Sequence, residues 1–141
     1  MNNILVVCHG NRFRSPFAAG LIAKLRPDLT VRSSGVKLPV GVFPAARAAR
    51  AAALLRGVDL NGHRAQQTTV AMVEWADIVL YMDGGNLRRL RDQFPGLNTH
   101  KCLASYVGKT RIQDPNFVPN HLKEPIWQLL EAACIAFCKK Q

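Results

Sequence analysis

Ile4-Leu5-Val6-Val7 is a continuous apolar run without polar alternation, the pattern of a strand covered on both faces of a parallel sheet. It passes into Cys8-His9-Gly10-Asn11, a polar turn containing a glycine. Ser15-Pro16 reads as a helix start, with Ser as cap and Pro in the first turn, and the helix continues through Phe17–Leu25 to stop near Pro27. Leu29 to Ser33 predicts a second strand ending at Ser34-Gly35, followed by a loop through Pro39, Gly41 and Pro44. Ala45 to Leu55, rich in Ala, Leu and Arg, predicts a helix closed by Gly57. After the turn at Asn61-Gly62-His63 come a short helix over 70–75, a buried strand over 78–82 and a helix over about 85–94. Thr99 to Leu103 reads as a fourth strand, 104–120 as loop, and Pro125 to Cys138 as a final helix.

Strands alternating with helices through short connections predict an α/β fold with a mostly parallel sheet. No repeat or composition break divides the chain, so residues 1–141 are expected to form one domain. In such sheets ligands bind beyond the carboxyl ends of the strands. Cys8 sits at that end of the first strand, and Ser34, Met82 and the loop carrying Asp114 are within reach of it.

Composition narrows the setting. The chain is 48% hydrophobic and 20% charged, an ordinary globular balance, and no apolar run approaches the ~20 residues of a membrane span. The start, Met1-Asn2-Asn3-Ile4, lacks the basic and apolar regions of a secretory signal, so a cytoplasmic location is expected. Cys102, Cys134 and Cys138 fit neither a disulfide framework nor a zinc pattern and read as packing residues. Nineteen Lys and Arg against nine Asp and Glu give a formal charge of +10, which favours anionic partners, among them an acidic phosphoprotein. The same charge also serves as a solubilising surface. No aromatic-rich basic motif supports a nucleic-acid partner.

The candidate chemistry lies in Cys8-His9-Gly10-Asn11-Arg12-Phe13-Arg14-Ser15. A cysteine and an arginine five residues apart are a weak signal alone. Here the cysteine ends a buried strand and the arginine opens a helix, so the short loop between them can turn its backbone N–H groups inward as an anion-binding nest. Gly10 would let the chain turn tightly, and Asn11 tolerates the left-handed conformation. Arg14 can hold two phosphate oxygens with its planar fork, and the same positive field favours a thiolate at Cys8. Arg14 would oppose the helix dipole unless an anion binds there. Beyond capping, the Ser15 hydroxyl could hydrogen-bond the sulfur. Thiolate attack on a phosphate ester also needs an acid for the leaving oxygen, and Asp114, before Pro115, is the candidate. On spacing alone an ordinary Asp-Pro turn is the favoured reading.

These residues, with others in order, resemble the low-molecular-weight protein tyrosine phosphatases. The phosphate loop is matched by Val7-Cys8-His9-Gly10-Asn11 with Arg14-Ser15-Pro16. Ser33-Ser34-Gly35, Gly57-Val58-Asp59-Leu60 with His63, Ala76 to Asp83 with Asn86, and Asp114-Pro115 match further segments. The resemblance implies a four-stranded parallel sheet with flanking helices and a two-step reaction on protein phosphotyrosine that uses no metal or cofactor. Cys8 would be the nucleophile, Arg14 the clamp and Asp114 the general acid and then base. His9, Gly10, Asn11, Arg12, Phe13, Arg14 and Ser15 would bind phosphate, with Asn11, Ser15, Ser34 and His63 holding the loop in shape.

Four positions depart from the family pattern. Phe13 stands where most members carry a second loop cysteine, which removes a protective disulfide and exposes Cys8 to overoxidation. Arg12 replaces an apolar or small residue, and Gln66 replaces a common arginine. Asn116 replaces the aromatic that flanks the substrate ring, with Phe117 as a partial substitute. Three rival readings share the motif. An arsenate reductase of the same fold would need two further relay cysteines, absent from 76–98. A phosphoarginine phosphatase is disfavoured by the cationic Arg12. A phosphate-binding module without turnover would have no need of both Cys8 and Asp114.

Overall fold

The structure is a computed structural model that describes residues 2–141; Met1, the first residue of the N-terminal segment read above, lies outside them. The strands are β1 (Asn3–Cys8), β2 (Thr30–Gly35), β3 (Ile78–Tyr81) and β4 (His100–Cys102). The helices are α1 (Arg14–Leu25), α2 (Arg47–Leu55), α3 (Val70–Trp75), α4 (Gly84–Gln93) and α5 (Glu124–Lys139). The described strands pair in parallel in the order β2-β1-β3-β4.

The unbroken apolar run of β1 has the reason expected of it. Ile4, Val6 and Cys8 join one core with Phe17, Leu21 and Ile22 of α1 and Leu130, Cys134 and Phe137 of α5. Leu5 and Val7 face the other way, onto Met72 of α3, Val79 of β3 and Leu90 of α4. The sheet is thus covered on both faces. Because β2 and β3 flank β1 on opposite sides, the chain reverses its winding at β1, and a crevice opens at the carboxyl ends of β1 and β3.

Two expectations need correcting. Ser15 is not the cap of α1: the helix begins at Arg14, and its cap residue, Phe13, makes no side-chain cap bond. Segment 104–120 is not plain loop, since 3-10 turns occupy Leu103–Val107, Pro115–Phe117 and Asn120–Leu122. Gly10 does not have a positive φ, and a Cβ there would meet nothing within 4 Å. The left-handed residue of the loop is Asn11, at φ 57°.

Candidate active site

The loop from Cys8 to Arg14 is held from outside through its carbonyls. Those of Cys8 and His9 accept from the N–H groups of Val36 and Lys37, both at 3.0 Å. Asn11 O accepts from His63 Nε2 at 2.8 Å, and Arg12 O from the Ala46 N–H at 2.8 Å. In a planar trans peptide the following N–H points opposite to the carbonyl. The N–H groups of His9, Gly10, Arg12 and Phe13 are therefore turned away from the scaffold and into the loop, the arrangement of an anion nest.

Asn11 is the hub of this scaffold and is fully buried. Its Nδ2 donates to Ser15 Oγ (2.7 Å) and Ser33 Oγ (3.0 Å), and its Oδ1 accepts from the Gln66 N–H (2.9 Å). Since Ser15 Oγ already accepts from the amide, its proton is free for other partners. Cys8 Sγ lies 3.0 Å away and Ser34 O lies 3.3 Å away. The Ser15 N–H also approaches Cys8 Sγ, at 3.4 Å. Sulfur thus occupies the place a capping oxygen would take at the start of α1, whereas Ser15 does not cap because it is the second residue of the helix.

Ser34 enters this network through its carbonyl. Its hydroxyl turns to Thr68 Oγ1 at 2.6 Å, and Thr68 donates in turn to Gly35 O. Gly35 is where β2 passes beneath the loop. A Cβ there would lie 2.8 Å from His9 O and 2.9 Å from Asn11 N, so only glycine allows the approach. Burial, partly offset by the bond to Asn11 O and aided by the Arg64 charge, holds His63 below the usual imidazole range. The neutral ring then donates through Nε2.

Arg14 is 1% exposed, and a buried guanidinium is tolerated only when paired. Its Nη1 donates to Asp83 Oδ2 and Ile112 O, both at 2.8 Å. Nη2 stands 3.7 Å from Asp114 Oδ2, beyond hydrogen-bond distance, and buried Nε has no protein partner. Nε and Nη2 form one side of the guanidinium fork, the side that can grip two oxygens of a phosphoryl group. Burial pushes the Asp83 carboxyl up, but the Arg14 bond and the Asn86 and Gly85 N–H groups outweigh this and hold it below the usual carboxylate range. Asp83 also caps α4, accepting from the Asn86 N–H at 2.9 Å.

Asp114 both caps a turn and reaches the site. Its Oδ1 accepts from the Asn116 N–H at 3.0 Å, opening the Pro115–Phe117 turn. Its loop is tied down by the Ile112 N–H on Met82 O and by Ile112 O on Arg14. Cys8, Arg12, Arg14, Asp114 and Asn116 line one pocket of about 210 Å³. Arg12 forms a wall, with its Nε on Pro44 O and its guanidinium 5.6 Å over the Phe43 ring. Phe117 does not line this pocket. It is 85% exposed and borders an adjoining basin of about 620 Å³, so it does not take the place of the missing aromatic.

The sequence reading missed Asp83, Ser33, Thr68 and Ile112. Asp83 alone had a local signal, as a helix cap three residues before Asn86. Gln66, noted only as a departure, ties the loop to Ser33 O through its Nε2 and to Asn11 through its N–H.

Residues 3–141 match the family model described as low molecular weight phosphotyrosine protein phosphatase. A probable low molecular weight protein-tyrosine-phosphatase, EpsP of Ralstonia nicotianae, is 38% identical over 82% of this chain and 79% of the relative. Vibrio vulnificus Wzb, solved in complex with benzylphosphonate, superimposes with a TM-score of 0.92 at 31% identity, covering 99% of each chain. The YwlE arginine phosphatase of Geobacillus stearothermophilus superimposes with a TM-score of 0.89 at 28% identity, over 99% of this chain and 92% of that one.

Proposed function

The chain belongs to the low molecular weight phosphotyrosine protein phosphatase family, and from that premise we propose that it hydrolyses protein phosphotyrosine with Cys8 as nucleophile, Arg14 as clamp and Asp114 as acid and base. The observation that carries the proposal is that Asp114, a hundred residues from Arg14 in sequence, lines one small pocket with Cys8 and Arg14. In the first step the Cys8 thiolate attacks phosphorus while Asp114, as carboxylic acid, gives its proton to the phenolic oxygen. The P–O bond to tyrosine breaks and a phosphocysteine forms. In the second step water attacks phosphorus, the Asp114 carboxylate takes its proton, and the S–P bond breaks. The Ser15 hydroxyl, 3.0 Å from Sγ, would donate to the departing thiolate. Nε and Nη2 of Arg14 and the inward N–H groups of the loop would hold the phosphoryl oxygens as charge moves across them.

A finer reading concerns the partner. The net charge is +10, and Arg88 and Arg89 line the basin that shares His9, Arg14 and Asp114 with the Cys8 pocket. An acidic segment beside the phosphotyrosine suits the net charge of the chain rather than the basin itself, where Asp83, Asp92 and Asp114 stand against Arg14, Arg88 and Arg89. Capture should weaken as salt rises. A working thiolate also requires reduced cysteine, which suits the cytoplasm.

The test is phosphate release from a phosphotyrosine peptide at mildly acidic pH with chelator present. Release that is lost in Cys8→Ser, with phosphate binding retained, is the expected result. Turnover at the wild-type rate in Cys8→Ser would refute the nucleophile. Faster release from a phosphoarginine peptide would transfer the assignment to the chemistry of the YwlE neighbour, against the cationic wall at Arg12.

A further inference from the structure

The Cys8 pocket, at about 210 Å³, is smaller than the 300–1,000 Å³ typical of ligand sites. It accommodates a phosphoryl group and part of a ring, so the rest of a polypeptide substrate must be read outside it. Phe13 and Asn116 line this pocket and also a neighbouring groove of about 570 Å³. They are also two of the positions at which the sequence departs from its family pattern.

The groove follows from the composition of α2. Arg47-Ala48-Ala49-Arg50-Ala51-Ala52-Ala53 presents methyl groups where longer side chains would fill the space toward α5. Ala48, Ala51 and Ala52 form one side, Trp127 the other, and Leu55, 81% exposed, stands at the far end. Of the rim charges, Lys123 Nζ donates to Val118 O and Glu124 pairs with Arg56 at 2.9 Å. Arg47, exposed at the start of α2, makes no side-chain hydrogen bond or ion pair among the described residues. The floor of alanines, Leu55 and Trp127 is apolar and suits an apolar occupant, with Arg47 the one rim charge that has no partner among the described residues. The amide at position 116, in place of an aromatic ring, lowers the wall between pocket and groove.

We infer that this groove is a substrate subsite that takes an apolar side chain lying within one or two residues of the phosphotyrosine. The inference rests on the phosphatase reading. Two extended residues span roughly 7 Å, enough to cross a wall shared by the two cavities. Methylene groups in such a pocket discriminate by about tenfold or more in kcat/KM.

The experiment compares phenyl phosphate, which reaches only the Cys8 pocket, with phosphotyrosine peptides carrying Leu, Ala or Glu at each of the two positions on either side. The expected result is a preference of about tenfold for Leu over Ala at one position. That preference should collapse toward unity in Ala51→Leu and in Ala48→Leu, which fill the groove from a helix that tolerates leucine. Expressing each peptide rate relative to phenyl phosphate on the same variant corrects for any loss of folded enzyme. No position favouring Leu, a preference for Glu there, or a preference surviving in both variants would overturn the subsite. Folded, reduced protein that fails to hydrolyse phenyl phosphate would overturn the phosphatase reading itself, whereas turnover without leucine preference overturns the subsite alone.

Discussion

Asn11 concentrates the conformational demand of the active loop in one residue, and replacing it separates backbone from side-chain effects. Asn11→Ala removes three hydrogen bonds, two donated by Nδ2 and one accepted by Oδ1. At a net ~1 kcal/mol each, their loss amounts to roughly 3 kcal/mol. The left-handed backbone at φ 57° adds about 1–2 kcal/mol for a residue with a Cβ and no local amide. Asn11→Ala should therefore be destabilised by about 4–5 kcal/mol, a large part of the 5–15 kcal/mol typical of folded domains. Asn11→Gly loses the same bonds without the backbone penalty and should be more stable than Asn11→Ala by about 1 kcal/mol.

Urea denaturation gives both numbers. With an m value near ~2 kcal/mol/M, Asn11→Ala should unfold at roughly 2 M less urea than the parent, and Asn11→Gly at about 0.5 M above Asn11→Ala. Asn11→Asp adds a separate test. It keeps the turn and the acceptor for Gln66 but replaces the Nδ2 donor, so the Ser15 proton swings to the carboxylate and away from sulfur. That variant should fold and lose turnover. A loss under about 0.5 kcal/mol in Asn11→Ala, or Asn11→Gly no more stable than Asn11→Ala, would refute this account of the loop.

Asp114→Ala should slow phosphate esters with poor leaving groups far more than those with good ones, because only the former need the proton; an equal loss across a series of aryl phosphates would count against the acid role. Gly35→Ala drives a Cβ against the backbone at His9 O and Asn11 N, and a displaced loop should cost on the order of 10²-fold in turnover, read at a temperature where circular dichroism shows the variant folded. His63 gives a pH signature. Its folded pKa is depressed, so between that value and the usual ~6.5 the unfolded chain binds more protons. The stability it contributes is complete above about pH 6.5 and is lost as pH falls through the folded value. Melting curves from pH 7.5 downward should show this slope in the parent and less of it in His63→Gln; an equal slope in both would place the titration elsewhere.

What the sequence disclosed depended on how local each feature is. The apolar run of β1 is legible because both faces are covered by helices drawn from the same chain, and it locates Cys8 at a strand end without any tertiary knowledge. Asn11 is legible because a left-handed turn leaves few residue choices. Ser15 is half legible: Ser before Pro has a standard meaning as a cap, which the structure overturns, while the expected reach of its hydroxyl to sulfur is present at 3.0 Å. The sulfur of Cys8 and the amide of Asn11 recruit the hydroxyl instead. Ser33, Thr68 and Ile112 carry no local mark, and their roles exist only where β2, the 63–68 segment and the acid loop meet. Asp114 was found through family resemblance. Its spacing describes a turn, and it is in fact a turn cap as well as a pocket residue.

Arg14 shows how the fold and the proposed chemistry constrain each other. A buried guanidinium is costly unless its donors are met, and the protein meets one end of the fork only, through Asp83 and Ile112 O on Nη1. Nearer pairing with Asp114 would satisfy Nη2 and stabilise the folded protein, but it would also draw the carboxylate away from a leaving oxygen. The 3.7 Å separation keeps Asp114 within the field of Arg14 without engaging the donors that phosphate requires. Asp83 takes the structural half of the task at a place outside the Cys8 pocket, where its other oxygen is occupied by the start of α4. The arginine is thereby fixed by one carboxylate and left open beside another, a division that a single acidic partner could not provide.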